Sequence, residues 1–524
     1  MQPSLETAQR ADSAYEAALA PANVREAVII GGGVAGLLAA HVACQHGFHR
    51  VTLLDRDLLG GKVEYETVHE TAARRPGVPQ LCHPHCLLMG GIKAFDKLLP
   101  GITKQLLDAG GTMLDLSQDC YNFDFGMDTG AARGPTDYKF ICMSRRLLEQ
   151  TLRERVVADN QGKLVIRGGA RVAGLTWSKD GSSVTGVQLA TGDTLAATLV
   201  IDASGRHSQL PLWLEEGKWG RPAVKKVDAQ LCYTSRTVQL PEQPVHMKGD
   251  PQPSTGPEDR AGGCKHRGQS VVFELGRPGQ RGGVVGPIEG NRAIVLLYGY
   301  GGDKPPMDEE GFMQYAAAFP TPDKAVYRVL SASKPVSPII RYAGLKTALR
   351  CYHEMAMPLG LLVVGDSVME LDPLLGQGMT VAAIGSLVLA AALGEAFPAC
   401  TSGAAGKAQH SMTHSEALRQ LAGSFQKKWF EAVSVAWDIH CAEDMRYPTA
   451  KVEGVSRPPR IVSYYFDLLQ KAGLRDRLVR AEMYKVVSMV KPPSALFGPA
   501  MAWSAAKEAA REAWALATGL VTRA

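Results

Sequence analysis

The sequence predicts a mixed α/β (α+β) fold, in which a Rossmann-like domain with a central parallel sheet and a β-meander is joined to an antiparallel sheet and a helical C-terminal region. Three observations predict it: a strand, glycine-rich turn, helix and strand at residues 28–56, short apolar runs with tight turns from residue 213, and helical apolar spacing towards the C-terminus. A chain of 524 residues also exceeds one simple core. We expect a discontinuous first domain at 24–212 and 355–400, an antiparallel-sheet domain at 213–354 and a helical region at 401–524.

Residues 28–36 carry the strongest local signal. An apolar strand leads into Gly31-Gly32-Gly33-Val34-Ala35-Gly36, which has the Gly-x-Gly-x-x-Gly spacing of a dinucleotide-binding turn. The first glycine permits the tight bend, the second lets a pyrophosphate approach the backbone, and the third lets the helix pack close to the sheet. Asp55, 19 residues after Gly36, is placed to hold ribose hydroxyls. The motif favours a nucleotide site over a plain structural turn, and it does not distinguish FAD from NAD.

Composition excludes several classes of function. The net charge of +5, from 57 basic and 52 acidic residues, is too small to predict a nucleic-acid partner. Ten cysteines without regular spacing do not match a secreted disulfide framework, so we expect reduced thiols and a cytoplasmic protein. Residues 1–23 contain acids and no apolar core, which fits a surface lead-in better than a targeting peptide. The apolar stretch 379–393 is short for a membrane span, and we expect a buried helix.

Two polar segments stay open to more than one interpretation. Two His and two Cys lie between Cys82 and Cys86, but no second cluster supplies further ligands. We therefore expect no metal there, and instead a loop whose histidines, His83 and His85, hydrogen-bond near a pocket. Ser144 begins a helix with a capping pattern. The basic pair that follows it, Arg145 and Arg146, either reaches a cofactor phosphate or lies at the surface.

The middle of the chain is predicted to form strands. Apolar runs predict a small β-meander at 164–166, 184–189 and 195–201, and the last run leads into a turn of small residues at 202–206. Further runs predict the antiparallel sheet, at 228–238, 271–275, 283–288 and 293–298. Residues 241–269 are rich in Pro, Gly and charge and are predicted to form a loop.

A second strand-to-turn unit occupies residues 361–379. A buried strand ends in Gly365-Asp366, and Gly376-Gln377-Gly378-Met379 begins an apolar helix, which predicts a second helix N-terminus that favours anions. Asp366 suits the hydroxyls of a sugar-like chain, and the backbone of 376–379 suits a flat ring. The alternative is an ordinary strand-loop-helix crossover.

The remainder is predicted to be helical. An apolar helix face is formed by Leu418, Leu421, Phe425, Trp429, Val433 and Trp437. These aromatic side chains are expected to be core. The end of the chain, 496–520, mixes Trp and Phe with Ala, Lys and Arg, so we expect it to pack on the protein, with docking at a membrane interface as the alternative.

Together these segments resemble the signature of FAD-dependent monooxygenases of the aromatic-hydroxylase-like superfamily. The matching motifs are 31–36, 202–206 and 365–379. Gly77-Val78-Pro79-Gln80 with His83 and His85, and Ser144-Arg145 with Leu148, extend the resemblance to polyether-antibiotic flavin epoxidases of the lasalocid and monensin type. The resemblance covers about residues 25–450, and it is specific for the family and not for a substrate.

The resemblance implies an FAD-binding domain assembled from separated segments, with the antiparallel sheet roofing a substrate pocket. It implies FAD contacts at Gly31, Gly33, Val34, Ala35, Gly36, Asp55, Arg56, Arg145, Val172, Asp202, Gly205, Asp366, Pro373, Gly376, Gln377, Gly378 and Met379. It assigns no catalytic residue, because the flavin carries the chemistry. Asp372 and His83 are the candidates. Asp372 stands where epoxidase-like relatives tend to have Asn and places a negative charge near the flavin.

The function that the resemblance implies is a monooxygenase of secondary metabolism. It would insert one oxygen atom from O2 into an apolar alkene or aromatic natural product through a flavin C4a-hydroperoxide, by epoxidation or hydroxylation. Because no second complete glycine fingerprint exists, NAD(P)H would bind transiently as electron donor, or a separate flavin reductase would supply electrons. The alternatives are a flavin-dependent dehydrogenase or reductase, a halogenase, or a non-redox FAD-dependent cyclase acting on an isoprenoid or polyketide. The Trp-x-Trp-x-Ile-Pro element of many halogenases is absent.

Overall fold

The computed structural model describes residues 24–58, 75–124, 127–128, 134–242, 271–275, 281–319, 321, 324–397 and 413–518. The predicted lead-in at 1–23 and nearly all of the predicted loop at 241–269 lie outside these residues. The strands are β1 (Glu26–Ile30), β2 (Arg50–Asp55), β3 (His85–Leu87), β4 (Thr112–Asp115), β5 (Cys120–Asp124), β6 (Met127–Asp128), β7 (Lys139–Met143), β8 (Leu164–Gly168), β9 (Val172–Trp177), β10 (Val184–Leu189), β11 (Thr194–Ala196), β12 (Leu199–Asp202), β13 (Val224–Gln239), β14 (Val271–Leu275), β15 (Arg281–Ile288), β16 (Arg292–Gly299), β17 (Lys334–Pro335), β18 (Ile340–Arg350), β19 (Leu361–Val363), β20 (Met369–Glu370) and β21 (Lys451–Glu453).

The α-helices are α1 (Val34–Gln45), α2 (Met89–Leu98), α3 (Ile102–Asp108), α4 (Arg145–Asp159), α5 (Leu210–Glu216), α6 (Glu309–Ala317), α7 (Ala325–Ala332), α8 (Gly378–Ala396), α9 (His414–Asp444), α10 (Arg460–Arg475), α11 (Arg477–Val487) and α12 (Pro499–Ala517). Short 3₁₀ turns lie at Pro79–Cys82, Tyr352–Glu354, Gly365–Ser367, Pro373–Leu375 and Pro493–Phe497.

Five strands form the predicted central parallel sheet, in the order β19-β12-β1-β2-β8. β1, β2, β12 and β19 are apolar and mostly buried, as expected for a parallel sheet covered on both faces. Because the strands share one direction, their carboxyl ends meet at one edge. Gly31 directly follows β1, Asp55 ends β2, Asp202 ends β12 and Gly365 comes just after β19. The sheet therefore gathers motifs that are far apart in the sequence.

The β-meander is present, but it contains different strands from those the sequence suggested. β9, β10 and β11 pair antiparallel, whereas 164–166 belongs to β8 and 199–201 to β12, both in the parallel sheet. The predicted strand 195–201 is interrupted at Thr198, whose N–H donates to the carbonyl oxygen of Glu26. Short apolar runs do not reveal which strand they will pair with, and the strand assignment was wrong for this reason.

The predicted antiparallel sheet is confirmed, and among the described residues it is larger than expected. Its order is β20-β18-β13-β16-β15-β14-β5-β6, and β17 and β21 also pair with β13. β5 joins the sheet by parallel pairing with β14, although it precedes the proposed boundary at residue 213. A hairpin joins β15 to β16, and Gly290 and Asn291 at its turn have φ of +78° and +52°, as a tight hairpin turn requires. The domain limits stay a prediction.

Helices α8 and α9 pack against each other beside the parallel sheet. α9 begins with a capping box of Thr413 and Glu416. Its predicted apolar face is confirmed as core, since Phe425 and Trp429 are fully buried. Trp429 lies against Gly385 of α8, where an added Cβ would come within 2.2 Å of the indole Nε1. The small residue at 385 therefore sets how closely the two helices approach.

Helix α8 is, among the described helices, the one long and apolar enough to cross a membrane, and 61% of its apolar window is buried inside the protein. This packing agrees with the predicted buried helix. The C-terminal segment is divided: Leu496 and Met501 pack in a core with α10 and α11, whereas Trp503 and Trp514 are 66% and 64% exposed. Docking of these tryptophans at a membrane interface stays the alternative to simple packing.

We expect Gly385→Ala to destabilise the protein by about 1–3 kcal/mol, because the new methyl group overlaps a buried indole. The matched control is Gly423→Ala, at an exposed position of α9 where an added Cβ meets nothing within 4 Å, and it is expected to stabilise the protein by about 0.5–1 kcal/mol. Urea unfolding measures both effects. Equal effects of the two substitutions would contradict the close contact of α8 and α9.

Candidate functional site

One large cavity lies between the edge of the parallel sheet and the antiparallel sheet. Its volume is about 700 Å³. The predicted FAD contacts that line it are Gly31, Gly33, Val34, Ala35, Asp55, Arg56, Arg145, Val172, Gly205, Asp366, Pro373, Gly376, Gly378 and Met379. Both catalytic candidates, Asp372 and His83, line it as well. The structure thus brings most of the predicted residues around a single space.

The first glycine turn is closely packed at Gly31 and Gly36, and it is open to the cavity at Gly33. Gly31 has a φ of +104°, and an added Cβ would come within 2.4 Å of the carbonyl oxygen of Ala203. A Cβ on Gly36 would lie 1.8 Å from the carbonyl oxygen of Gly31. Gly33, directly before α1, has nothing within 4 Å of an added Cβ. The first turn of α1 holds no acidic residue, so its free N–H groups offer an anion site facing the cavity.

Asp55 is held by a buried ion network. Its Oδ2 accepts from the Gly32 N–H at 2.7 Å and its Oδ1 from the Asp57 N–H at 2.7 Å. Nη1 of Arg75 lies 3.2 Å from Asp55 Oδ2 and 3.4 Å from Asp57 Oδ2. Burial alone would lower the pKa of Arg75, but Glu149 and Asp55 outweigh it, so the pKa is raised and the guanidinium stays charged. Arg75 therefore fixes the acid that the sequence placed at the ribose.

Arg145 belongs to the same network. Its Nε donates to Glu149 Oε1 at 2.8 Å, and Arg75 Nη2 donates to Glu149 Oε2 at 3.3 Å. Burial raises the pKa of Glu149, but Arg145 and Arg75 together lower it below the usual value. The predicted helix start at Ser144 is confirmed, since Ser144 Oγ accepts from the Leu147 N–H at 3.1 Å. Of the two interpretations of Arg145, the structure places its side chain in the cavity wall and not at the surface.

Arg350 joins the two other turns at the sheet edge. Its guanidinium donates to the carbonyl oxygens of Asp366 at 3.2 Å, Ser367 at 3.0 Å and Arg206 at 2.5 Å. Burial raises the pKa of Asp366, and Arg145, Arg206 and Arg350 oppose that rise. The Asp366 carboxyl therefore lies in the cavity wall among three guanidinium groups.

The turn at residues 373–378 packs beside β3 in the cavity wall. Gly376 has a φ of +66°, and an added Cβ would come within 3.0 Å of Cys86 Sγ. Gly378, at the start of α8, has nothing within 4 Å of an added Cβ, so its backbone is open to the cavity. Burial raises the pKa of the Cys86 thiol to about 12, so this side chain is a neutral wall element.

The expected hydrogen bonds of the two histidines near a pocket are confirmed, but only His83 lies in a loop, since His85 begins strand β3. Nδ1 of His83 lies 2.9 Å from Ser235 Oγ, and the His83 ring stacks on Tyr342 with centroids 5.3 Å apart. Nδ1 of His85 lies 2.8 Å from the carbonyl oxygen of His83. Burial lowers the pKa of His83 to about 3, so the imidazole is neutral. Its Nε2 is buried with no partner among the described residues.

Asp372 is buried and fully hydrogen-bonded. Its Oδ1 accepts from the Leu374 N–H at 2.9 Å, and its Oδ2 accepts from the Tyr300 hydroxyl at 3.2 Å. Burial raises the pKa of this carboxyl. The side chain caps the 3₁₀ turn Pro373–Leu375 and so shapes the cavity wall.

Three predicted contacts do not line the cavity. Gly36 packs against Gly31, as described above. Asp202 is fully buried and accepts from Ser204 N at 2.9 Å and from the hydroxyls of Ser204 and Ser208, each at 2.5 Å, so it orders the turn after β12. Gln377 donates from Nε2 to the carbonyl oxygen of Val487. These side chains shape the turns behind the cavity.

Sequence reasoning missed several residues that build the site. Arg75 follows Arg74 in the sequence, and nothing in the sequence links it to Asp55 and Glu149. Arg350 carries no motif at all. The aromatic wall of Tyr233 and Tyr342 comes from β13 and β18; the strand of Tyr233 was predicted, whereas the strand of Tyr342 was not.

The parallel sheet and the glycine turn at one end of the cavity form a Rossmann-like nucleotide-binding segment. Residues 29–88 match the family model described as an NAD(P)-binding Rossmann-like domain. The flavin-dependent brominase Bmp2 superposes with a TM-score of 0.57 at 14% identity, covering 93% of this chain and 99% of its own. PqsL, a probable FAD-dependent monooxygenase from Pseudomonas aeruginosa, superposes with a TM-score of 0.53 at 15% identity, covering 81% and 97%.

Two further relatives complete the comparison. The Diels-Alderase PyrE3 of pyrroindomycin biosynthesis superposes with a TM-score of 0.53 at 16% identity, covering 89% of this chain and 81% of its own. In sequence, Protein Rv3254 of Mycobacterium tuberculosis is 26% identical over 464 residues, 86% of each chain. The solved structures show a shared fold, and both the flavin-monooxygenase superfamily and the polyether-epoxidase subgroup stay predictions.

We expect Arg75→Met to destabilise the protein by about 3–5 kcal/mol, because three buried carboxylates, Asp55, Asp57 and Glu149, would lose their shared cation. The control is Lys104→Met, which removes an exposed ion pair with Asp108 and is expected to cost at most about 0.5 kcal/mol. Chemical unfolding measures both. A loss at Arg75 no larger than that at Lys104 would show that the network does not hold Asp55.

Proposed function

We propose that this chain is an FAD-dependent monooxygenase that inserts one oxygen atom from O2 into an apolar alkene or aromatic natural product. One observation carries the proposal. A single cavity runs from the glycine turn before α1 to the turn before α8 and on to the face of the antiparallel sheet. A dinucleotide that ends in a flat ring would extend along such a space and present its ring to a substrate beneath the sheet.

The residues in the wall fit FAD. Gly33, Gly205 and Gly378 have nothing within 4 Å of an added Cβ, so the backbone is open at the three places where the resemblance puts the cofactor. At one end, the N–H groups of α1 would hold the pyrophosphate and Asp55 the ribose hydroxyls. At the other, the backbone of 376–379 would lie against the ring. When bound, FAD would accept electrons from NAD(P)H and activate O2 for oxygen transfer.

The protein's own contribution is to bind, orient and exclude water. Val284, Leu296 and Leu345 line the cavity on the side of the antiparallel sheet, which supports an apolar substrate. Tyr233 and the neutral ring of His83 add polar edges to this wall. His83 would orient a substrate by hydrogen bonding and would not exchange protons near neutral pH, because burial holds its pKa far below 7.

Two details of the proposal rest on the family resemblance and the motif count: the type of oxygen transfer and the source of the electrons. Epoxidation is favoured over hydroxylation by the motifs shared with polyether epoxidases. Electrons come from NAD(P)H that binds transiently or from a separate flavin reductase, because the chain has one complete glycine fingerprint.

Asp372 supports a second candidate function. Burial raises the pKa of this carboxyl in the cavity wall, and an acid there suits a flavin-dependent reductase or a non-redox cyclase acting on an isoprenoid. The fold is shared with a Diels-Alderase as well as with a brominase and a monooxygenase, so fold likeness does not separate these reactions.

The experiment that separates them follows oxygen. The purified flavoprotein is reduced anaerobically with NADH or NADPH, or with a partner reductase, and then mixed with ¹⁸O2 and a panel of apolar alkenes and phenols. The proposal expects oxygen uptake coupled to substrate and one ¹⁸O atom in the product. A product without oxygen uptake would replace the proposal with the cyclase or reductase, and a product that requires halide would replace it with a halogenase.

We expect Gly33→Val to abolish tight FAD binding without unfolding the chain. The backbone at Gly33 has φ −76° and ψ −173°, which any residue adopts, and the new side chain would enter open cavity space. Loss of the close approach of the pyrophosphate should weaken FAD binding by about a hundredfold or more. Gly423→Val, on the exposed side of α9, is the control. Fluorescence titration of the apoprotein measures the affinity, and unchanged binding in Gly33→Val would contradict the placement of the pyrophosphate.

A further inference from the structure

Helix α9 contacts the wall of the cavity through two side chains one turn apart, His440 and Asp444. Nε2 of His440 lies 2.8 Å from the carbonyl oxygen of Asp372, and Nδ1 of the same ring lies 2.8 Å from the carbonyl oxygen of Ala436. Asp444 is joined to Asp372 through the Thr347 hydroxyl, which donates to Asp444 Oδ2 at 2.7 Å and accepts from the Asp372 N–H at 3.3 Å. Both residues are buried. They therefore contact Asp372 from the side away from the cavity, where the family resemblance assigns no residue.

Two buried aspartates that are joined through one hydroxyl repel each other when both are ionised, and this repulsion favours a proton on one of them. Asp372 already accepts from the Leu374 N–H and the Tyr300 hydroxyl, which stabilises its ionised form. Asp444 accepts from one donor, the Thr347 hydroxyl, which lies 2.7 Å from its Oδ2. The other oxygen of Asp444 is then the place for the proton. Because Asp372 accepts two hydrogen bonds through its carboxyl group and Asp444 accepts one, the proton belongs on Asp444 and the negative charge on Asp372.

Thr347 ties the pair together. Its Oγ1 accepts from the Asp372 N–H at 3.3 Å and donates to Asp444 Oδ2. The Thr347 hydroxyl thus acts as both donor and acceptor at the junction of α9, β18 and the 373–376 turn. A closed network of this kind fixes geometry more strongly than separate bonds do.

We propose that Asp444 is a positioning residue: it shares one proton with Asp372, and through that proton helix α9 fixes the turn at 373–376 against which the flavin ring would lie. The proton-sharing pair is independent of the function proposed above. The effect on the ring rests on that proposed function.

The surroundings determine how the pair titrates. The titratable groups that face it are Tyr233, Tyr300, Tyr447, His440, Cys441 and Asp228. Burial raises the pKa values of both tyrosines next to Asp372 and of the cysteine, and lowers that of His440, so these groups are neutral near pH 7. Asp228 adds negative charge. Burial first, and then the charge of Asp372, raise the pKa of Asp444 well above that of a free aspartic acid.

The raised pKa of Asp444 determines how the stability of the folded protein changes with pH. From about pH 4, where aspartic acids of the unfolded chain ionise, up to the raised pKa of Asp444, the folded protein holds one proton more than the unfolded chain. Stability from this group is therefore complete in acid and is lost as the pH rises. Asp444→Asn keeps the donor to Asp372 and the acceptor for Thr347 but has no proton to lose.

The first measurement compares the unfolding equilibrium constants of the wild-type apoprotein and Asp444→Asn between pH 5 and pH 8. We expect the ratio of wild-type to variant constant to increase by up to about tenfold per pH unit. Ionisable groups remote from the pair are common to both proteins and cancel in the ratio. A ratio that does not change with pH would overturn the shared proton. An infrared band of a protonated carboxyl group in the wild type at neutral pH, absent from Asp444→Asn, is the second readout, and it needs no unfolding.

The second measurement tests positioning in the holoprotein. We expect Asp444→Leu, which removes the donor, to weaken FAD binding by about tenfold or more and to shift the flavin absorption band, and Asp444→Asn to restore both. If Asp444→Asn behaves like Asp444→Leu, the positioning role is wrong. If the wild type binds no FAD, the proposed function fails, while the pH ratio of the apoprotein still decides whether the proton is shared.

Discussion

The structure depends on the parallel alignment of β1, β2, β12 and β19, whose carboxyl ends meet at one edge of the sheet. This alignment brings together turns that are more than three hundred residues apart in the chain, from Gly31 to Gly365. The turns contact one another directly: a Cβ added to Gly31 would lie 2.4 Å from the carbonyl oxygen of Ala203, and a Cβ added to Gly365 would lie 2.7 Å from the Cβ of Ala35. If the strands did not share one direction, the two glycine-rich helix starts would not open into the same cavity.

Three buried or partly buried arginines hold the turns at that edge of the sheet. Guanidinium groups of Arg75 and Arg145 neutralise Asp55 and Glu149 near the first turn, and Arg350 binds backbone carbonyls of the other two. Buried ions of this kind stabilise little by themselves and fix geometry only when every partner is present. The site is thus held rigid by groups that need not touch a ligand.

The sequence predicted the parts of the fold that depend on local pattern. The turn at Gly31–Gly36 and the start of α8 at Gly378 were located because their glycine spacing has a steric reason. The meander was misassigned because the run at 195–201 contains no sign that Thr198 would pair with Glu26 and divide it. Arg75, Arg350 and Asp444 were missed because their partners in these contacts lie at least 16 residues away, and long-range ion pairs and hydrogen bonds leave no periodic signal. Asp372 was identified only as a departure from the family pattern, and its partners became visible with the packing of α9.

The most direct test of this account is a crystal structure of the chain with bound FAD. The account predicts the pyrophosphate within hydrogen-bond distance of the N–H groups at the start of α1, the adenosine ribose on Asp55, and the isoalloxazine ring against the backbone of 376–379 with one face open to Tyr233 and Leu345. An FAD bound with its ring outside this cavity, or a chain that binds no flavin when purified and reconstituted, would contradict it.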